Sequence, residues 1–461
     1  MPETERAVAA TQPAPEMARR LGLFAVTMVV MGGIVGSGIF INPYVVARQV
    51  GTPFLILGVW VAGGLIALAG AFIYAELSAR RPLVGGQYAY IREAYHPLAA
   101  FIYGWGLLLV TQTGGMAAVA VTFARYFLEL TRAPLADGAV AALALAALTV
   151  VNCLGVRAGS TVQSVLMVLK VLAITALVGC GLLLGGAASG EAAAGAGRLL
   201  DRPPSFDLLT AVGAAMVPVL FAYGGWQTSC FIAGEVREPR KNLPRGLLIG
   251  VAGVVVLYLA VNVVCLRVLG TEGLAATTTP ASDVMRAALG APGARLIAAG
   301  IAVSTLGFLS QSMLTAPRVY YAMADDGLFF KRVAWLHPRS RVPVLAIALQ
   351  GTWAVAIALS GRYEQILSYV VAVDWIFFGL AASCLFVLRR RDGASGGGAA
   401  YRVPGHPLTT LAFILVSAAI VVNTAYKYPT QSAIGFGILA AGVPVYGLWR
   451  WRERRWSRRA A

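Results

Sequence analysis

The sequence predicts an all-α polytopic membrane protein of twelve transmembrane helices, with discontinuous first and sixth helices and halves related as an inverted repeat. Three observations predict it. Of the 461 residues, 58% are hydrophobic and 12% are charged, whereas soluble domains carry about 25% charged residues. Apolar runs long enough to cross a bilayer recur along the whole chain. Two of them, five runs apart, are interrupted by glycine-rich segments.

Composition excludes several classes. A single soluble core stops growing near about 250–300 residues and cannot hide this much apolar surface. The five cysteines (Cys153, Cys180, Cys230, Cys265 and Cys384) lie within apolar runs and show neither a disulfide framework nor a zinc spacing. The three histidines, His96, His337 and His406, fall in short linkers, so no metal, cofactor or catalytic cluster is expected. A formal net charge of +17 would suggest nucleic acid on a soluble protein. Here the basic residues sit in short segments between apolar runs, so they act as topology signals and no nucleic-acid partner is expected.

Residues 1–20 mix Glu3, Glu5 and Glu16 with Arg6, Arg19 and Arg20 and form a cytoplasmic tail. The apolar stretch behind them is too long for the core of a cleaved signal peptide. Spans are expected near 21–48, 53–79, 99–130, 138–155, 159–186, 208–235, 246–270, 292–323, 342–360, 365–388, 407–426 and 430–449. Each is near or above the ~17–25 residues that cross the hydrocarbon. The last two are separated by a polar hinge around Lys427 and Pro429. With an inner N-terminus, twelve spans place 26 of the 37 Lys and Arg residues on the inner side. That asymmetry sets both termini in the cytoplasm of a cell-membrane protein. Residues 21–388 hold the first ten spans and are expected to form the core. Residues 389–461 hold the last two spans and a basic tail, where WRWRERRWSRR has the composition of an interfacial anchor. The longest outer loop, about 187–207, is rich in Ala and Gly and carries no expected chemistry.

The glycine interruptions carry the functional signal. MGGIVGSGIF (Met31–Phe40) breaks the first span and FAYGGW (Phe221–Trp226) the sixth. One such run alone would fit close helix packing. Two at matched positions fit an inverted-repeat transporter, because unwound backbone survives in a membrane only where it lines a cavity. At a break one half-helix exposes N–H groups and another exposes C=O groups, with partial charges of opposite sign. Such a pair matches a zwitterion. The amides of Gly36, Ser37 and Gly38 are placed on a carboxylate, and the carbonyls of Ile34, Phe221 and Gly224 on an ammonium.

At these residues the sequence resembles the amino acid–polyamine–organocation transporters. GGIVGSGIFINP looks like their substrate loop, and FAYGGW followed by GEVREPRKNLPRG is similar to the L-type amino acid transporter branch. PLVGGQYAYIREAYHPLAAFIYGW (Pro82–Trp105) and RVYYAMADDGLFF (Arg318–Phe330) extend the resemblance over about residues 20–390. It implies a five-plus-five inverted repeat followed by two trailing helices. It also implies an amino acid held between the first and sixth spans, Phe221 as the lid on the outer side, and Trp226 just below the break. Gln227 stands where many L-type relatives have Asn, which implies a tuned polar network. The TRAPLADG loop lacks the cysteine with which some relatives pair to a glycoprotein, so no disulfide-linked accessory subunit is expected.

Charges deep in a span cost ~2.5–3.5 kcal/mol on insertion scales and mark function. Lys170 lies mid-span with no acidic residue nearby in sequence, so its partners are expected on another helix, the carbonyls of the first break. There its ammonium would stand where a sodium ion would otherwise sit. Sodium-independent relatives carry a lysine in this span. Asp374, deep in the tenth span, is compatible with pairing to a cation, carrying a proton or lining the outer vestibule, and its sequence does not choose among them. Glu76 and Glu235 are expected in gate networks with nearby arginines. The residues assigned to the pocket carry no fixed charge, which favours neutral L-amino acids. Proton-coupled uptake, cationic amino acid or polyamine transport, and a membrane amino acid sensor are the alternatives. No HExxH, GxSxG or Walker loop is present, so the protein is not expected to be an enzyme.

Overall fold

The computed structural model describes residues 17, 19–186, 200, 203, 205–360, 363–393 and 401–460, with backbone alone for 363–369 and 452–460. The N-terminal tail, the Ala/Gly-rich outer loop and the Trp/Arg side chains of the C-terminal anchor fall largely outside them.

The described residues are helical and contain no strand beyond one isolated bridge between Leu21 and Val236. Ten helices are long and apolar enough to cross a membrane, and a bent pair makes an eleventh span. The twelfth is shorter. Val344–Leu359 has 16 residues and reaches about 24 Å at 1.5 Å per residue. Pro343 precedes its first turn and Ser360 ends it.

The bent pair is the first span. Helix α1 (Leu23–Ile34) and α2 (Gly38–Gln49) meet at 41°. Helix α3 (Pro53–Arg80) starts on a Thr52 cap, whose hydroxyl accepts from the Leu55 N–H at 3.3 Å. A short helix, α4 (Gln87–Ala94), leads to α5 (Pro97–Thr131), which widens into a π turn at Leu107–Thr111. Helices α6 (Asp137–Leu154) and α7 (Val156–Leu183) are joined by Gly155. The sixth span begins as α8 (Phe206–Ala222), turns at 223–225, and continues as a 3₁₀ segment, Trp226–Glu235. There follow α9 (Pro239–Ala276), α10 (Pro280–Thr315), α11 (Pro317–Asp325), α12 (Val344–Leu359), α13 (Tyr363–Asp392), α14 (Leu408–Lys427) and α15 (Pro429–Ala460).

The centre of the bundle is built on small residues. Gly246 and Gly250 of α9 lie against Val26 and Val30 of α1 so closely that an added Cβ would fall 2.5 and 2.6 Å from those side chains. Such close approach is how membrane helices gain dispersion contact without a hydrophobic drive.

One face of the bundle is bound by charges. Arg20 and Leu21 donate N–H groups to the Glu235 carbonyl at 2.8 and 2.9 Å, tying the start of the first span to the end of the sixth. The buried Glu76 carboxylate accepts from Arg80 at 2.7 Å, Arg389 at 2.5 Å and the Val403 N–H at 2.7 Å. Asp392 joins this cluster through Arg80 and Arg81. Nearby, burial and then the Arg389 charge push His406 below the usual imidazole range, against the pull of Glu76. Glu235 pairs with Arg318 at 2.9 Å, each side chain about 1% exposed. Removing one partner of such a pair leaves a buried charge uncompensated and costs about 3–5 kcal/mol. Glu235→Ala is therefore expected to lower the unfolding midpoint measured in detergent. An unchanged midpoint would show that the pair contributes nothing net.

Candidate functional site

The two breaks meet backbone to backbone. Gly225 sits at φ 99°, in the left-handed region. A Cβ there would run into the Gly33 carbonyl, and a Cβ on Gly33 would stand 2.6 Å from the Gly225 oxygen. Only glycine satisfies both the torsion and the contact.

Where the breaks diverge, they enclose a cavity of about 90 Å³. The first break contributes Ile34, Gly36, Ser37 and Gly38, and the second contributes Phe221, Gly224, Gly225 and Gln227. Helix α2 starts at Gly38 with no side-chain cap. Among the described residues no protein acceptor takes the N–H groups of Gly36, Ser37 or Gly38. Open amides at a helix N-terminus are the kind of group that can receive an anion.

The carbonyls behind this site are largely committed. Lys170 is fully buried, and its Nζ donates to Val35 O and, at 3.4 Å, to Gly32 O. Gly307 on α10 makes room for it, since a Cβ there would press on Cε and stand 3.1 Å from Nζ. The Tyr258 hydroxyl lies between both breaks, 3.1 Å from Ile34 O and 3.3 Å from Ala222 O. Ser304 donates to Gly36 O at 3.2 Å. Phe221 O takes the Gly224 N–H at 3.1 Å. Each carbonyl with one donor retains a second lone pair for an ammonium.

Phe221 is half-buried and stands between this cavity and a larger one of about 370 Å³ that reaches Gln49, Lys427 and Tyr428 at the face away from the charged clusters. Toward the other face, Trp226 stacks on Phe378 with centroids 5.5 Å apart and meets Tyr74 edge-on at 4.8 Å. Gln227 turns back on its own break, its Oε1 accepting the Gly225 N–H at 3.1 Å. Thr228 donates to Gly225 O at 2.7 Å and accepts from Gln311 at 2.6 Å.

Lys170 and Asp374, the two deep intramembrane charges of the sequence, stand apart. Lys170 lies behind the first break and does not line the cavity, whereas Asp374 on α13 is half-buried in its wall beside the Thr111 hydroxyl. The pocket therefore contains an ionisable side chain in addition to the uncharged residues that the sequence assigned to it. The sequence reading also missed Tyr258, Ser304, Gly307, Gln311, Thr111 and Gln112. A polar run, Thr111–Gln112–Thr113, inside an apolar span was the visible signal for the last two. Gly307 carried none, because a glycine that makes room for a distant side chain looks like any other.

A cavity between paired helix breaks, inside a bundle of twelve spans, defines a secondary transporter of the inverted-repeat kind. The amino acid permease family matches residues 21–449. The chain belongs to that family and is a membrane transporter, not an enzyme. It is 28% identical over 447 residues to the human large neutral amino acids transporter small subunit 2, covering 93% of this chain and 80% of that protein. It is 30% identical over 441 residues to the serine/threonine exchanger SteT of Bacillus subtilis (strain 168), covering 92% and 95%. Similarity to the human b(0,+)-type amino acid transporter 1 is 28% over 398 residues, covering 84% and 80%.

Proposed function

We propose that this protein exchanges small and mid-sized neutral L-amino acids across the cell membrane by alternating access, independently of sodium. The observation that carries the reading is the set of open amides at Gly36, Ser37 and Gly38 beside the second break in one shared cavity. The carboxylate rests on those amides. The ammonium rests on the remaining lone pairs of Ile34, Phe221 and Gly224. Lys170 holds carbonyls that a sodium ion would otherwise hold. Relatives named as a neutral amino acid transporter and as an exchanger support both the substrate class and the mode.

Both termini lie in the cytoplasm, so the charged face is the inner gate and the larger cavity the outer vestibule. The excess of Lys and Arg in the segments of that face supports this orientation. The protein works without a disulfide-linked accessory subunit, since the TRAPLADG loop between α5 and α6 has no cysteine.

The test is counterflow in liposomes. Purified protein should take up labelled neutral amino acids into vesicles loaded with the same amino acids and not into empty ones, in sodium-free buffer without a pH gradient. Uptake only under a pH gradient would favour proton coupling, the reading to which the Asp374 carboxylate in the wall lends itself. Phe221→Ala merges the cavity with the vestibule. It is expected to raise KM for counterflow by about tenfold, the value of a lost aromatic contact of ~1.4 kcal/mol. An unchanged KM would remove Phe221 from the lid.

A further inference from the structure

Asp374 is the one ionisable side chain among the described residues that line the cavity. The residue lines the cavity wall and is not fully buried. Its neighbour Thr111 comes from the π turn of α5, which widens the helix there and turns Thr111 and Gln112 to the same wall. π turns inside α-helices concentrate at functional sites. On the other side of the cavity the three open amides take the carboxylate of a bound amino acid. The substrate side chain must then extend toward α5, α10 and α13. A carboxylate met there without a fixed cation accepts hydrogen bonds and offers nothing to a methyl group. Phe308, Val371 and Phe378 form the apolar part of that wall, Gln112, Gln311 and Ser312 lie beside them, and a cavity of about 90 Å³ favours a short side chain.

We infer that Asp374 is a specificity-determining residue that selects amino acids whose short side chain carries a hydrogen-bond donor, hydroxyl above methyl. This rests on the exchange reading above and narrows its substrate class. An acceptor that a bound substrate screens from water discriminates because an analogue without the donor leaves it desolvated and unpaired.

The experiment compares isosteres as competitors of labelled serine in counterflow: serine against 2-aminobutyrate, and threonine against valine. Wild-type protein should prefer the hydroxyl member of each pair by about tenfold or more, the order of one hydrogen bond to a charged group. Asp374→Leu should bring both ratios close to one, and Asp374→Asn, which keeps one acceptor oxygen, should leave them between. Should either variant cease to transport, the same ratios are read from ligand-induced shifts of the unfolding midpoint in detergent. Wild-type ratios near one, or ratios unchanged in Asp374→Leu, overturn the assignment. A wild-type protein that exchanges no amino acid would sink the exchange reading instead, and with it the basis for this one. Exchange without discrimination would sink only the role of Asp374.

Discussion

Lys170→Ala should cost at least about tenfold in sodium-free counterflow. A hydrogen bond to a charged group is worth ~1.5–3 kcal/mol, and this ammonium makes two, to Val35 and Gly32. Without it the carbonyls at the end of α1 converge on a dry gap, and the angle between α1 and α2 loses its fixed point. Lys170→Arg should not restore the rate. Gly307 already stands so close to Cε that a planar guanidinium would have to displace α10. Substrate-dependent stabilisation in detergent separates a transport defect from misfolding. Wild-type exchange by Lys170→Ala would show that the break needs no fixed cation.

The second large effect is expected at Gly225. Alanine there would hold a left-handed torsion, at ~1–2 kcal/mol, and its methyl would overlap the Gly33 carbonyl. The breaks would have to separate, and the cavity they share would lose its shape. Gly225→Ala should therefore lose most transport while remaining monodisperse in detergent. Gly253→Ala on α9 is the comparison. A Cβ there meets nothing nearer than the Met31 methyl at 3.7 Å, so it should transport much as the parent does. Equal rates for the two variants would mean that backbone contact at Gly33 and Gly225 is incidental.

Much of this architecture was legible in the residues, for physical reasons. Spans announce themselves because a membrane demands some twenty apolar residues for each, and the expected 138–155 lies within a residue of Asp137–Leu154. The interruption at 35–37 was legible because glycine and serine cluster there. Lys170 stood out because a charge so deep needs a reason, and the carbonyls it reaches are those of the first break. What stayed hidden is whatever depends on rotation about a helix axis. Asp374 could face lipid, protein or cavity with the same sequence around it. Tyr258 gave no sign that its hydroxyl spans two breaks, since tyrosine in a membrane helix is ordinary. The asymmetry of the halves was equally silent. After its break the first span resumes as an α-helix, whereas the sixth resumes as a 3₁₀ segment.

That last difference is a difference in length. The ten residues Trp226–Glu235, kinked at Ile232, would extend about 20 Å if evenly wound at ~2.0 Å per residue. The same ten wound as an α-helix would cover about 15 Å at 1.5 Å per residue. Tighter winding gives poorer hydrogen-bond geometry, so the stretched form is held by what grips its two ends: Gly225 against Gly33 above, Glu235 on Arg318 and the Arg20–Leu21 amides below. The segment is a drawn tether. Releasing its lower grip would let it shorten by about a helical turn, retracting the Glu235 end of the sixth span while the end at the cavity stays where it is.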